Sequence, residues 1–470
     1  MREGVRPMQG HPAGMTGIPV TIGATRLAYD RGLVPDCAPP DPMTTPLRLD
    51  ATDLDLSRWI RRDDVVAIGQ ACGEPLTLTA ALVAQRHALA GVELLLGTVM
   101  SDTFRPEHAD ALRFRATAVT GGTRALSSAG AIDIVPSHYG DVDRQYAEGS
   151  LTADVVLVQV SAPDARGRVT LGASHDALVS AMPRARTVIA EINRQAPRVH
   201  ADVTFPLDAF DAVIETDRPL VRMPSGDPGE IERRIGTHVA ALVPDRATLQ
   251  LGIGGIPDAV LAQLADRSGL GFHSGMMTDR VVDLIESGAI DNAHKGIDAG
   301  VTVTGLLVGT DRLYRFAHEN PALAIRRPSY THGALVLARI ARLFSINSAI
   351  EVDLTGQVNA ESVGGRYLGT IGGQVEFVRG TRLSEGGRSV IALPSTQGAA
   401  RSPRIVARLD GPVTTPRSDI DCIVTEWGVA SLRGRSLSQR ARALIAIADP
   451  MHREALERAA FDASRRSAPP

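Results

Sequence analysis

Two glycine-rich segments and one polar-studded strand hold the residues best suited to chemistry. The first segment, Gln250-Leu251-Gly252-Ile253-Gly254-Gly255-Ile256-Pro257, joins an apolar strand pattern to a helix. Pro257 suits a first helical turn, and Val260, Leu261 and Leu264 give the helix an apolar face. A glycine loop feeding a helix N-terminus offers backbone N–H groups to an anion or a carbonyl. The third glycine of a dinucleotide fingerprint is absent, with Pro257 in its place. A plain tight turn has the same composition, so both readings stay open for this segment alone. The second segment, Gly364-Gly365-Arg366-Tyr367-Leu368-Gly369-Thr370-Ile371-Gly372-Gly373-Gln374, is denser. Residues without Cβ let a ligand approach the backbone closely, and consecutive N–H groups can form an oxyanion hole. Just upstream, Asn347, Glu351, Asp353 and Gln357 interrupt an apolar strand pattern. Buried polar groups need partners; structural hydrogen bonding accounts for most of them and leaves one or two for a site.

These residues need a scaffold, and the chain supplies an alternating one. Val65–Ile68, a helical stretch from Leu76 to His87, and Val92–Leu96 follow one another; then come Val155–Val160, a helix near Ala173 to Met182, and Thr187–Ile192. Short apolar runs between helices suit strands buried on both faces, which predicts an α/β fold with mostly parallel sheets. The stretch Arg222 to Gly229 is the best internal boundary; strand–loop–helix alternation resumes after it with Thr248–Leu251 and later Val390–Leu393. The expected organisation is a flexible extension over residues 1–48, one α/β domain over 49–228 and a second over 229–470. The last residues, from Arg465 to Pro470, read as a frayed tail.

Composition excludes several classes. A net charge of −3 over 470 residues argues against a nucleic-acid partner. Cys37, Cys72 and Cys422 have no paired spacing, which excludes a thiolate zinc site and fits a reducing cytoplasm; Cys422 sits in an apolar run and reads as buried. No apolar stretch approaches the roughly 18–20 residues of a membrane helix, so no membrane partner is expected. Of the 50 basic residues only Lys295 is lysine, so a Schiff base has one candidate, and His294 before it rules out a Walker A loop. The chain has no Gly-x-Ser-x-Gly elbow and no His-Glu-x-x-His helix, and its 12 histidines are dispersed, so no metal site is expected.

The segments Gln250–Val260, His273–Leu284, Ile346–Glu361, Gly372–Gly380 and Val424–Gly434, in this order, resemble the acetyl-CoA hydrolase/CoA-transferase family, of the 4-hydroxybutyrate CoA-transferase type. The resemblance spans roughly residues 55–460. It implies two similarly folded open α/β domains with the active site between them, and a coenzyme A thioester as substrate, with no further cofactor. It also implies that Gly252, Ile253, Gly254, Gly255, Ile256, Ile350 and Gly373 contact CoA, and that the pair Gly372-Gly373 lies near the thioester carbonyl. Gln397 stands where the family tends to carry a CoA-contacting lysine. In such enzymes a glutamate attacks the acyl-CoA and passes through a glutamyl-CoA thioester. Here the matching position, between Ser274 and Met276, is Gly275. His273, Met276, Asp279, Val281, Asp283 and Leu284 hold the register, the nearest Glu is Glu286, and Arg280 replaces a residue that is usually glycine.

Glycine cannot perform covalent catalysis. Three readings follow. In the first the chain is an acyl-CoA hydrolase or acyltransferase acting by direct attack, with Glu351 as candidate general base, the Gly372-Gly373 pair activating the carbonyl, and water, a carboxylate or another nucleophile in the space left at Gly275. In the second it is a CoA-transferase using another carboxylate or direct displacement. In the third it binds CoA thioesters without catalysis. A homo-oligomer, most simply a homodimer, is the expected assembly for a soluble enzyme of this size.

Overall fold

The computed structural model describes residues 45–466. Within the first half, the runs of Val, Ile and Leu become the centre of an eight-stranded sheet. Its spatial order is Leu47–Leu49, Ala212–Thr216, Thr187–Asn193, Val155–Val160, Val65–Ile68, Glu93–Leu96, Arg113–Ala116 and Asp133–Ile134. Every pairing in it is parallel. Alternate residues feed separate cores, with Val66, Leu94, Leu96, Val155 and Leu157 on one face and Ala67, Leu95, Val156, Val158 and Val160 on the other. Both faces being covered, the strands carry unbroken apolar runs.

The second half builds a six-stranded sheet in the order Gly271–Phe272, Thr248–Leu251, Leu343–Ser348, Arg388–Ala392, Cys422–Thr425 and Gly428–Ser431. It is parallel except for its last pair, an antiparallel hairpin. Leu249, Leu251, Ile346, Val390 and Val424 fill one core, and Ile391, Leu393 and Ile423 fill another. The architecture is therefore α/β in two parts with mostly parallel sheets, as expected. Residues 217–229 between the sheets hold no helix or strand, and residue 228 falls there.

Apart from the edge strand Leu47–Leu49, in each sheet the chain runs outward in one direction and then returns to build on the other side. The reversal lies between Val65–Ile68 and Val155–Val160 in the first sheet and between Thr248–Leu251 and Leu343–Ser348 in the second. Ligands of open α/β sheets bind outside the carboxyl ends of strands at such switch points.

Four boundaries differ from the sequence reading. The first sheet begins at Leu47, inside the stretch read as an appendage; residues 1–44, including Cys37, lie outside the described residues. The helix expected to reach His87 ends at Ala84, because the Gln85 side chain leaves it to bond Leu54 O and Leu56 N. The helix expected from Ala173 is confined to Leu178–Ala181, since Asp176 accepts from Leu178 N and Ser174 Oγ and starts the turn there. At the other end the helix Pro450–Arg466 continues into the stretch read as frayed. No helix among the described residues is long and apolar enough to cross a membrane.

Candidate active site

Both switch points open onto one cavity of about 580 Å³. Gln70 enters it just beyond Val65–Ile68, Gln250, Leu251 and Gly252 come from the end of Thr248–Leu251, and Asn347 and Ser348 from the end of Leu343–Ser348. Backbone bonds tie the two halves together across it. Val119 N donates to Gly369 O at 3.0 Å and Tyr139 N to Gly372 O at 3.0 Å. The Gly140 N–H donates to Glu376 Oε2 at 3.1 Å.

The glycine loop is set by the two helices behind it. Glu230–Ala240 buries Ile235, Gly236, Val239 and Ala240, with acids in its first turn and His238 in its last, as the helix dipole favours. A Cβ on Gly236 would stand 2.8 Å from Ala259 O, so glycine permits the close crossing with Gly255–Leu261. That crossing presents Gly252, Ile253 and Gly254 to the cavity. Gly254 holds φ +117°, a conformation that excludes other residues at low strain. Gly255 opens the helix and Ile256 is buried in its first turn, so neither lines the cavity.

Gly372 and Gly373 line the opposite wall, where Gly373 caps the helix Gln374–Leu383. The first N–H groups of a helix lack intrahelical partners and carry its positive end, which suits an oxyanion. Gly275 also lines the cavity, together with Ser274 and Met276. Three further sequence candidates, beyond Gly255 and Ile256, also stand outside the lining. Ile350, Glu351 and Gln397 are absent from the lining. Glu351 lies in the strand Glu351–Asp353, where burial raises its carboxyl while Asn359 and Arg404 oppose the rise. Gln397 accepts from Arg404 Nη2 at 3.3 Å, so Arg404 is the common neighbour of both.

The residue that sequence reasoning missed is His332. It follows the short helix Pro328–Thr331, is 5% exposed and lines the cavity. A Cβ built on Gly275 would stand 2.7 Å from its Cε1 and 2.9 Å from its Nε2; one on Gly373 would stand 2.3 Å from Nε2. The imidazole therefore fills the space beside both glycines. Its ring is held against Tyr139, at 5.2 Å between centroids, and Phe377, at 4.6 Å. Thr331 Oγ1 lies 2.8 Å from Nδ1. Burial drives the ring to its neutral form and lowers its pKa to about 3, with His273 adding to the effect. His273 is equally buried, lowered to about 3, and reaches the Thr331 carbonyl through Nε2 at 3.0 Å, which pins the His332 turn to the Gly275 segment.

The remaining charged groups are few. Among the described residues Asp258 is the only carboxylate in the lining, where no described Glu, Cys or Lys appears. Burial raises its pKa, and its Oδ1 has no partner. Glu376 stands just behind the wall; burial pushes it up to about 7, with the Gly140 N–H opposing. Lys295, the one Schiff-base candidate, is fully buried outside the lining and donates to Phe272 O at 3.0 Å and Val301 O at 2.6 Å. It braces the His273 strand. Among the described residues no group of three or more His, Cys, Asp or Glu could hold a metal ion.

Comparison with known proteins agrees with this architecture. The acetyl-CoA hydrolase/transferase N-terminal domain matches residues 51–223, and the acetyl-CoA hydrolase/transferase C-terminal domain matches residues 309–460. The 4-hydroxybutyrate coenzyme A transferase of Clostridium kluyveri is 40% identical over 395 residues, covering 83% of this chain and 92% of that one. The crystal structure of RipA from Yersinia pestis is similar with a TM-score of 0.82 at 32% identity, over 87% of this chain and 96% of that one. A 4-hydroxybutyrate CoA-transferase structure from Porphyromonas gingivalis gives a TM-score of 0.74 at 32% identity, over 89% and 98%. With matches in both halves and a relative this similar along most of its length, the chain belongs to the acetyl-CoA hydrolase/transferase family.

Proposed function

We propose that the protein processes acyl-CoA thioesters by direct attack on the thioester carbonyl, as a hydrolase or acyltransferase, without a glutamyl-CoA intermediate. The observation that carries this reading is the lining of the cavity, where Gly275 stands beside His332 and no glutamate is present among the described residues. Gly252, Ile253 and Gly254 form an open glycine surface for the CoA moiety, and the end of the helix Gln374–Leu383 at Gly373 faces the developing oxyanion. Glu351, outside the lining, is not needed as the base. Family membership and the CoA names borne by the similar transferases support the substrate class.

A second reading rests on Asp258. As the one carboxylate among the described residues of the lining, it is a candidate nucleophile for CoA transfer. The two readings separate in one assay series with acetyl-, butyryl- and 4-hydroxybutyryl-CoA. Free thiol released without an added acceptor supports direct attack. Label passing to acetate or succinate with no thiol release supports transfer. Neither, with CoA-dependent thermal stabilisation, supports binding alone and overturns both.

A further inference from the structure

We infer that His332 is the general base of this site, taking the proton of a water or hydroxyl nucleophile through Nε2. The inference rests on the direct-attack reading and names the group that performs it. Three observations converge. The Nε2 edge of the ring lies between Gly275 and Gly373, both of which line the cavity, and no hydrogen bond from the described residues reaches that nitrogen. The ring is clamped by Tyr139 and Phe377, so it is aimed rather than mobile. Its other nitrogen faces Thr331 Oγ1, which itself lies 3.5 Å from the Arg327 and Pro328 carbonyls. A threonine proton directed at a carbonyl leaves Oγ1 to accept from Nδ1–H, and the lone pair then falls on Nε2. The Pro328 carbonyl also favours a proton on the ring.

The step balances as follows. The nucleophile's oxygen bonds to the thioester carbon while its proton passes to Nε2. The oxyanion is stabilised at the Gly373 end of the helix Gln374–Leu383. The C–S bond then breaks, and the CoA sulfur recovers the proton from Nε2. With water the products are a carboxylate, CoA thiol and one released proton. Burial holds the resting imidazole neutral but weakens it as a base, and negative charge developing on the oxyanion beside it offsets this by stabilising the imidazolium as it forms. Gly275 has a positive role in this arrangement, because any side chain there would displace the ring.

The test measures thiol release from acetyl-CoA by the full-length protein and by H332A and H332Q. The expected loss in kcat is about 10²- to 10⁴-fold in both variants, the range typical of a removed general base. Added imidazole or 4-methylimidazole should restore turnover to H332A in a saturable, protein-dependent manner, which a purely structural role would not produce. H332Q, which keeps a polar group of similar length, should stay inactive while retaining CoA-dependent thermal stabilisation. Wild-type turnover retained in folded H332A would overturn the inference and leave direct attack standing. A folded H332A that is inactive and not rescued by either imidazole would also overturn it. No thiol release from the wild-type protein would instead overturn the direct-attack reading itself.

Discussion

The glycines at the two sides of the cavity are there for opposite reasons. At Gly252 and Gly254 an added Cβ meets nothing within 4 Å, so their bareness leaves room for a ligand. At Gly275 and Gly373 an added Cβ runs into His332, so their bareness makes room for another side chain of the same protein. A glycine is thus not evidence of an empty place. The space beside the position where the resemblance implies a glutamate is filled, from another segment, by the His332 imidazole.

The comparison can be broken most forcefully at Gly373. G373A should push the imidazole off its position and reduce thiol release by about 10²-fold, as a misplacement of roughly 1 Å does. Overpacking should also lower stability by about 1–3 kcal/mol, read by urea unfolding. G252A, on the open side, should leave stability within about 0.5 kcal/mol and change only KM. Equal damage at both glycines would remove the distinction.

A second pair of variants sharpens the exchange of volume. G275E alone should be destabilised by about 1–3 kcal/mol, since its side chain enters the space of a ring boxed in by aromatics. G275E/H332A should relieve that clash, giving an interaction energy of about 1–3 kcal/mol in a double-mutant cycle, and should gain CoA transfer to acetate. A glutamate added at position 275 without removing His332 is therefore a poor test of lost transferase activity. Additive single effects would show that the two positions do not share space.

Acid stability offers a smaller readout. Burial lowers His332 and His273 to about 3, against about 6.5 for a free histidine. The unfolded chain binds more protons between those values, so stability is full above pH 6.5 and lost as pH falls toward 3. Each histidine should contribute about 2 kcal/mol of loss between pH 7.5 and 5. H332Q should remove its share of that slope, measured by urea unfolding at both pH values. An unchanged slope would place the imidazole in contact with solvent. A small effect is also expected at Gly254, where Ala meets no atom but must adopt φ +117°; a loss of about 1 kcal/mol is expected from backbone strain alone.

Much of this was legible in the chain because local rules agree with the fold. Runs such as Val155–Val160 and Thr248–Leu251 are strands because both faces are covered. The loop at Gly252 could be read because it sits between a strand and a helix start. Cys422 is buried, as its apolar run suggested. Helix ends escaped where a side chain set the local bonding: Gln85 bonds Leu54 O beyond its helix, and Asp176 accepts from Leu178 N at the start of the next. His332 escaped for a different reason. It lies in a short turn with no periodicity, and only the fold brings it to Gly275 and to Tyr139. Its one local signal is the Pro328 to Gly333 stretch, a proline-started turn with a threonine beside a histidine. Glu351 drew notice as a polar break in a strand pattern, yet its strand leads to Arg404 and not to the cavity lining.

The central claim is that the thioester is attacked directly, without a carboxyl–CoA thioester on the protein. The most direct measurement is intact-protein and peptide mass analysis during turnover of acetyl-CoA. The account predicts free CoA accumulating while the protein mass stays unmodified throughout. A CoA adduct on any carboxylate, at Asp258 or Glu376 or elsewhere, would contradict it.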